Sequence, residues 1–330
     1  MEIENGLPSL NNKYRLDQQI GEGGFGEVYV ATDLSLERKV AIKLLKTEIS
    51  ERKESSQRFL NEARLTSKLT HPNTLTIYDF GTAGNRLFLV SELLDGEPLS
   101  RRINRLGAFQ PADFLPLFIP VCYALFEAHQ HKVIHRDLKP ENLFIHKAID
   151  GEKLVLLDFG IAKSMGELHL TQTGQIFGTP YYMAPEQIRE TKNVDHRTDI
   201  YSLGIILYEA LSGEQPYSGN SLFEVFEKHI HSPIPLLAEK ISVDLAPFDE
   251  LIASMMAKEV SQRPQSTIEV ATWLKDLAHI KVSLPTKQLQ GTPPQSQEKE
   301  PFFDQTLDIV DQGEVSKHSS MVYGATDVTM

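Results

Sequence analysis

The chain has 330 residues, 41% hydrophobic and 24% charged, the balance of a globular protein with one large domain or two smaller ones. Its formal net charge of −12 argues against non-specific nucleic-acid binding and against docking on anionic lipid. The single cysteine, Cys122, excludes an internal disulfide and fits a reducing compartment; the start carries no basic run followed by an apolar core, and the most apolar stretch, 114–126, holds Pro116 and Pro120 and falls short of the ~18 residues of a membrane span.

Residues 1–13 read as an extension. Strands are expected at 14–20, 28–30 and 40–45, with glycines clustered between the first two at Gly21, Gly23, Gly24 and Gly26. A charged segment, 50–69, carries Phe59, Leu60, Ala63, Leu65 and Leu69 near one helical face and stops before His71-Pro72, where proline disfavours more helix. Two further strands follow at 75–80 and 86–92. Beyond Asp95-Gly96 the pattern turns helical, at 115–129, 198–212, 223–229, 248–258 and 266–278, with one short strand at 154–157. From 283 onward prolines sit among polar residues, and seven acids face three lysines, which reads as a disordered acidic tail. No internal repeat and no convincing metal-ligand spacing of histidines is present.

Four motifs stand in order along this frame. The first is Gly21-Glu22-Gly23-Gly24-Phe25-Gly26-Glu27-Val28. Alone it is weak, since a dinucleotide-binding turn shares G-x-G-x-x-G and a plain glycine turn is commoner than either. A dinucleotide fingerprint must open a helix, whereas this one leads into the strand Val28-Tyr29-Val30. The second is Val40-Ala41-Ile42-Lys43, with Glu62 on the next helical segment. The third and most specific is His135-Arg136-Asp137-Leu138-Lys139-Pro140-Glu141-Asn142, followed by Asp158-Phe159-Gly160. The fourth, Gly178 through Ala184-Pro185-Glu186, precedes Asp199 and Arg263-Pro264.

Together these motifs resemble the bacterial-type, PknB-like (Hanks-type) serine/threonine protein kinases, over 14–277. The resemblance implies an α+β bilobal protein kinase fold: an N-lobe (14–94) built on a small antiparallel β-sheet with one main helix, a mostly helical C-lobe (95–277), and the acidic tail (278–330). It implies an ATP-dependent transferase acting on Ser/Thr hydroxyls of proteins, with Mg²⁺ and Mn²⁺ both admissible. Asp137 would be the catalytic base, Lys139 would offset charge on the γ-phosphate, and Lys43, paired with Glu62, would hold the α- and β-phosphates. Asn142 and Asp158 would bind metal on oxygen. The ATP site would be lined by Ile20, Gly21, Glu22, Gly23, Gly24, Phe25, Gly26, Glu27, Val28, Ala41, Ser91, Glu92 and Leu94. Arg136 would receive a phosphate from the activation loop, where Thr171 and Thr173 are the expected acceptors, with Thr179 bonding toward Asp137 and Lys139. Asp199 would brace the catalytic loop, and Arg263 would pair with Glu186. Lys139 and the Gly178–Glu186 segment point to serine/threonine rather than tyrosine acceptors.

Two positions depart from the pattern. Thr66 stands where an apolar residue often stacks under Phe159, in line with Ile77 and His135, and the small Ser91 gates the space behind the adenine. The rival from another class is a pseudokinase, which would lack one of Lys43, Asp137, Asn142 or Asp158; all four are present. Relatives with a membrane helix after the catalytic domain contrast with the acidic tail here, so a cytoplasmic kinase is expected, open to dimerisation. Thr306 and Thr326 are candidate docking sites for a phosphothreonine-binding partner.

Overall fold

The computed structural model describes residues 2–4, 7–23, 26–51, 53–159, 180–189 and 194–279. A seven-stranded antiparallel sheet opens the chain: β1 (Glu2–Glu4), β2 (Leu7–Leu10), β3 (Tyr14–Gly23), β4 (Gly26–Asp33) and β5 (Arg38–Leu45), with β6 (Ile77–Ala83) and β7 (Arg86–Glu92) added in the order β1-β2-β3-β4-β5-β7-β6. The extension is therefore not separate from the sheet, because residues 2–10 supply its first two strands. Pro8, a poor strand former, sits opposite Ile3 and conceals the element in the sequence.

Alternation along β5 and β7 sorts side chains to opposite faces. Val40, Ile42, Leu44, Phe88 and Val90 pack with Leu10, Tyr14 and Leu16 on one side. Leu45, Leu87 and Leu89 pack on the other against Phe59 and Ala63 of helix α2 (Lys53–Thr66), which follows the short α1 (Thr47–Ser50). The helix expected over 50–69 is α2, shorter by about three residues at each end.

The C-lobe contains β8 (Gly96–Pro98), α3 (Leu99–Leu106), α4 (Pro111–Gln130), β9 (Leu143–Ala148), β10 (Gly151–Leu156), α5 (Pro185–Arg189), α6 (Arg197–Ser212), α7 (Leu222–His231), α8 (Leu237–Lys240), α9 (Ala246–Met255) and α10 (Thr267–Leu277). Strands β10, β9 and β8 form a second, three-stranded sheet. Helix α4 is 20 residues long and apolar enough to cross a membrane by length and composition, longer than the sequence suggested. It lies inside the lobe, with Phe114, Phe118, Val121 and Leu125 in the main core. Pro111 opens it at a position where a missing N–H costs nothing. Helix α6 is buried along nearly its whole length and ends at Gly213, whose φ of 76° provides the left-handed cap that lets the chain leave.

A strip between α2 and β6 ties the lobes together. Leu75 N donates to Leu156 O (3.0 Å) and Leu156 N to Asn73 O (2.8 Å). Glu127 of α4 accepts from Thr70 N, Thr70 Oγ1 and His71 N. That cluster of donors outweighs its burial, the largest influence on it, and holds its carboxyl below the usual range.

Candidate active site

The glycine segment forms a hairpin at the tips of β3 and β4, where Gly21 pairs with Val28 and Gly23 with Gly26. Gly24 and Phe25 lie outside the described residues. Gly26 admits no side chain: a Cβ there would lie 2.2 Å from Leu44 O, so only glycine lets β4 lie this close to β5. Arg86 braces the same corner, donating from Nη2 to Glu27 Oε2 (2.7 Å) and from Nε to Leu45 O (2.7 Å).

Directly opposed residues of an antiparallel pair share a face. Val28 is opposite Lys43, which is opposite Leu89; Val30 is opposite Ala41, which is opposite Ser91. The sheet register therefore gathers Val28, Ala41, Lys43 and Ser91 on one surface. Ser91 is buried and donates to Glu92 O (3.2 Å), while Glu92 accepts from Thr76 N (2.8 Å) and Leu94 is half-buried in the irregular segment that leads to the C-lobe. Ile20 is exposed at the rim with Glu22.

On the C-lobe side, residues 133–142 run without regular structure from α4 into a 3₁₀ turn at Pro140–Asn142. A buried carboxylate holds this backbone. Asp199 of α6 accepts from Arg136 N at Oδ1 (2.8 Å) and from His135 N at Oδ2 (2.9 Å), and His129 Nε2 lies 2.7 Å from Oδ2. Burial pushes the Asp199 carboxyl up, and these contacts more than reverse it, holding the group ionised. The bracing is needed because Arg136 has φ of 62°, a left-handed conformation that a non-glycine residue adopts only under external restraint. Gln187 of α5 adds a second restraint, donating from Nε2 to Arg136 O (2.9 Å). The motifs gave no sign of Gln187, because an amide that bonds only to backbone leaves no spacing signature.

The reactive groups converge past this loop. Asn142 Nδ2 donates to Asp137 O (2.8 Å), so the nitrogen end of its carboxamide is turned to Asp137. Lys139 Nζ lies 3.9 Å from Asp137 Oδ2. Asp158, just past β10 and itself at φ of 39°, accepts from Lys43 Nζ at 2.6 Å across the lobes. Leu157 N donates to Asn142 O (2.9 Å), which locks the two expected metal ligands into one backbone unit. His135 Nε2 lies 2.9 Å from Leu157 O, and its ring packs 5.0 Å from Phe159. Among the described residues no group of three His, Cys, Asp or Glu forms a metal cage. Two oxygen donors without a cage suit a hard, partly hydrated divalent ion that completes its shell on phosphate oxygens.

Of the residues expected from sequence, Lys43, Asp137, Lys139, Asn142 and Asp158 are brought together. Lys43 makes its ion pair with Asp158. Glu62 lies in α2, and its side chain lies outside the described residues, as do Thr171, Thr173 and Thr179. Arg263 pairs with Glu186 through two 2.7 Å contacts, and Thr198 Oγ1 also donates to Glu186. Burial raises the Glu186 carboxyl, and Arg263 outweighs it, so the net direction is down.

Comparisons with known proteins agree with this layout. The protein kinase domain family model matches residues 14–274. Curated relatives include the serine/threonine-protein kinase pkn2 of Myxococcus xanthus, 39% identical over 86% of this chain and 34% of the relative. PknA of Mycobacterium tuberculosis is 38% identical over 78% of this chain and 59% of the relative. PknB of Mycobacterium leprae is 37% identical over 80% of this chain and 42% of the relative. The chain thus spans between a third and three fifths of the length of these relatives. Among solved structures, the Mycobacterium tuberculosis PknI kinase domain aligns with a TM-score of 0.65 at 24% identity, covering 82% of this chain and 97% of that one, a likeness of fold. The chain belongs to the protein kinase domain family, and its fold is the bilobal α+β one that the motifs implied.

Proposed function

We propose that this member of the protein kinase family transfers the γ-phosphoryl group of ATP to serine and threonine hydroxyls of other proteins. The observation that carries the reading is the 2.6 Å contact between Lys43 and Asp158, beside a braced loop that presents Asp137, Lys139 and Asn142. In this reading ATP lies against the face made by Val28, Ala41, Lys43 and Ser91, with Ile20, Glu92 and Leu94 at the adenine end and 21–27 over the phosphates. Lys43 holds the α- and β-phosphates, with Glu62 as its partner when ATP is bound. Asn142 and Asp158 hold a divalent ion, Mg²⁺ by preference and Mn²⁺ on the same oxygens, which when bound neutralises phosphate charge. Asp137 orients the acceptor hydroxyl and takes its proton. Lys139 offsets charge developing on the transferred group. Most of the barrier reduction comes from positioning, since the residues have little covalent chemistry to perform.

The serine/threonine preference rests on Lys139 and on the names of the relatives. Arg136, fixed in place by Asp199 and Gln187, is the receptor we propose for a phosphate on Thr171 or Thr173. We propose a cytoplasmic reaction, the compartment that supplies ATP. Transfer of label from radioactive ATP to a generic acceptor protein tests the reading. Wild-type protein should yield phosphoserine and phosphothreonine, and Asp137→Asn should turn over about 10³-fold more slowly, roughly 4 kcal/mol of barrier. No transfer by wild type would sink the kinase reading; near-wild-type turnover by the variant would remove Asp137 as the base.

A further inference from the structure

Arg86 opens β7, two residues past Gly84, whose φ of 58° lets the chain turn back from β6. It faces away from the surface proposed for ATP. Leu44 lies opposite Glu27 on β4 and opposite Phe88 on β7, so alternation puts Arg86 on the face of Glu27, Leu44 and Phe88, behind Val28, Lys43 and Leu89. Its place is fixed from two sides: it pairs with Ala83 across the turn, and the next amide, Leu87 N, donates to Ser50 Oγ (3.1 Å). From there one guanidinium spans two strands. Nη2 donates to Glu27 Oε2 (2.7 Å) and to Leu44 O (3.1 Å), and Nε donates to Leu45 O (2.7 Å). Both charged side chains are mostly shielded from water, where such a pair keeps more of its strength than at an open surface. Leu44 O is also the atom on which Gly26 rests. Arg86 therefore grips the hairpin through Glu27, and the strand that carries Lys43 through the two carbonyls that follow it. Glu22 lies directly opposite Glu27 in the hairpin, a pairing of like charges that opposes the hairpin unless one of them is offset.

We infer that Arg86 is a positioning residue for the nucleotide's phosphates. By clamping β4 to the end of β5 from the outer face, it sets the separation between the hairpin backbone and Lys43 that the phosphates span. The fork of the guanidinium does this, because it meets a carboxylate and two carbonyls on two strands at once, which a point charge on a flexible stem does not. Arg86 never touches the nucleotide, and its effect is confined to the phosphate end. The inference rests on the kinase reading for the identity of the ligand, and its main readout is binding rather than transfer.

The test is calorimetric titration of the full chain with Mg·ADP and, separately, with adenosine, which has no phosphate. Arg86→Met keeps the stem and removes the fork; Arg86→Lys keeps the charge without the fork. Loss of the charge-assisted contact predicts a Kd for Mg·ADP about tenfold higher in Arg86→Met, with Kd for adenosine unchanged. Arg86→Lys should lose most of the same affinity. KM for ATP should rise about tenfold in Arg86→Met, more than kcat falls, and hydrogen exchange of the 26–30 amides should quicken. Should Arg86→Met not fold, the Arg86→Lys titration alone decides. An equal loss for adenosine and Mg·ADP would mean general damage to the sheet and overturns the proposal, as does wild-type affinity for Mg·ADP in Arg86→Lys. If wild type transfers phosphate and the variants bind Mg·ADP as it does, the inference fails while the kinase reading stands. If wild type binds Mg·ADP and transfers nothing, the kinase reading fails and the titrations still decide. If wild type does not bind Mg·ADP, both fall.

Discussion

Asp199→Asn is the most direct probe of how the catalytic loop is held. The substitution keeps the shape of a side chain that is 0% exposed, so no cavity opens. A carboxylate offers acceptors on both oxygens, and here both are used by backbone N–H groups. An asparagine offers one oxygen, and its NH₂ must face the remaining N–H. The best rotamer keeps His135 N and His129 and places donor against donor at Arg136. Losing one charge-assisted bond and orphaning a buried amide costs about 3 kcal/mol, partly offset because a buried charge has been removed. Released at its amide, Arg136 can relax from φ of 62°, and Asp137 moves with it. A displacement of about 1 Å at a catalytic group lowers turnover by roughly 10²-fold. Guanidinium unfolding should therefore show a lower midpoint at unchanged slope, with kcat falling and KM for ATP nearly constant, because the face proposed for adenine lies on β4, β5 and β7. A variant with wild-type midpoint and kcat would show that Asp199 does not carry the loop.

Arg263→Met should destabilise by about 3–5 kcal/mol, because it leaves the Glu186 carboxylate buried without its partner, and adding Glu186→Gln should recover much of that loss in denaturant titrations. Glu186 has a depressed carboxyl in the folded state, so its contribution is full at neutral pH and is lost as pH falls below the ordinary glutamate range; Glu186→Gln should flatten that acid limb of stability against pH. Ser91→Met should fill the space beside Ala41 and reduce the potency of adenine mimics with bulky substituents by about tenfold or more relative to unsubstituted ones, the cost of overpacking a filled site. Equal loss for both classes would show that Ser91 does not gate the pocket.

What the sequence disclosed depended on how local each signal was. The convergence of the 135–142 loop, Asp158 and Lys43 was legible because their motifs keep a fixed spacing along the chain. The C-lobe helices α6, α7, α9 and α10 were found to within a few residues, since α6 is apolar nearly throughout and the others carry an apolar face. Strands β1 and β2 were missed because Pro8 and two glutamates disguise a pairing that only the sheet supplies. Strand β9 was missed because His146 and Lys147 interrupt it, and α3 because arginines dominate it. Those arginines serve a network with Glu97 and Glu152 that has no sequence periodicity. His129 and Gln187 were invisible for a related reason. Each acts on a group far away in the chain, one on Asp199 and the other on the carbonyl of Arg136.

The same geometry explains why Asp158 and Phe159 can report the state of both lobes. Asp158 takes its charge partner, Lys43, from the sheet, and its neighbour Leu157 is bonded on both sides to the catalytic loop, through Asn142 O and the ring of His135. Phe159 completes the bridge, touching His135 on the C-lobe side and a hollow beside Thr66 on the other. The C-lobe half of this bridge is over-determined: Asp199, Gln187 and Asn142 each fix the loop through backbone atoms, and His135 is buried at 0% exposure. On the N-lobe half, the described side-chain contacts of Asp158-Phe159 are the Lys43 ion pair and the apolar lining of the hollow beside Thr66, while the 73–75 strip bonds to the backbone of Leu156. When two restraints on one unit differ this much in number, a small change in free energy moves the weaker side and leaves the stronger one in place. A perturbation at α2 should therefore alter whether Lys43 and Asp158 meet, without displacing Asp137. That is the arrangement expected of a site switched by helix position rather than by rebuilding its catalytic loop.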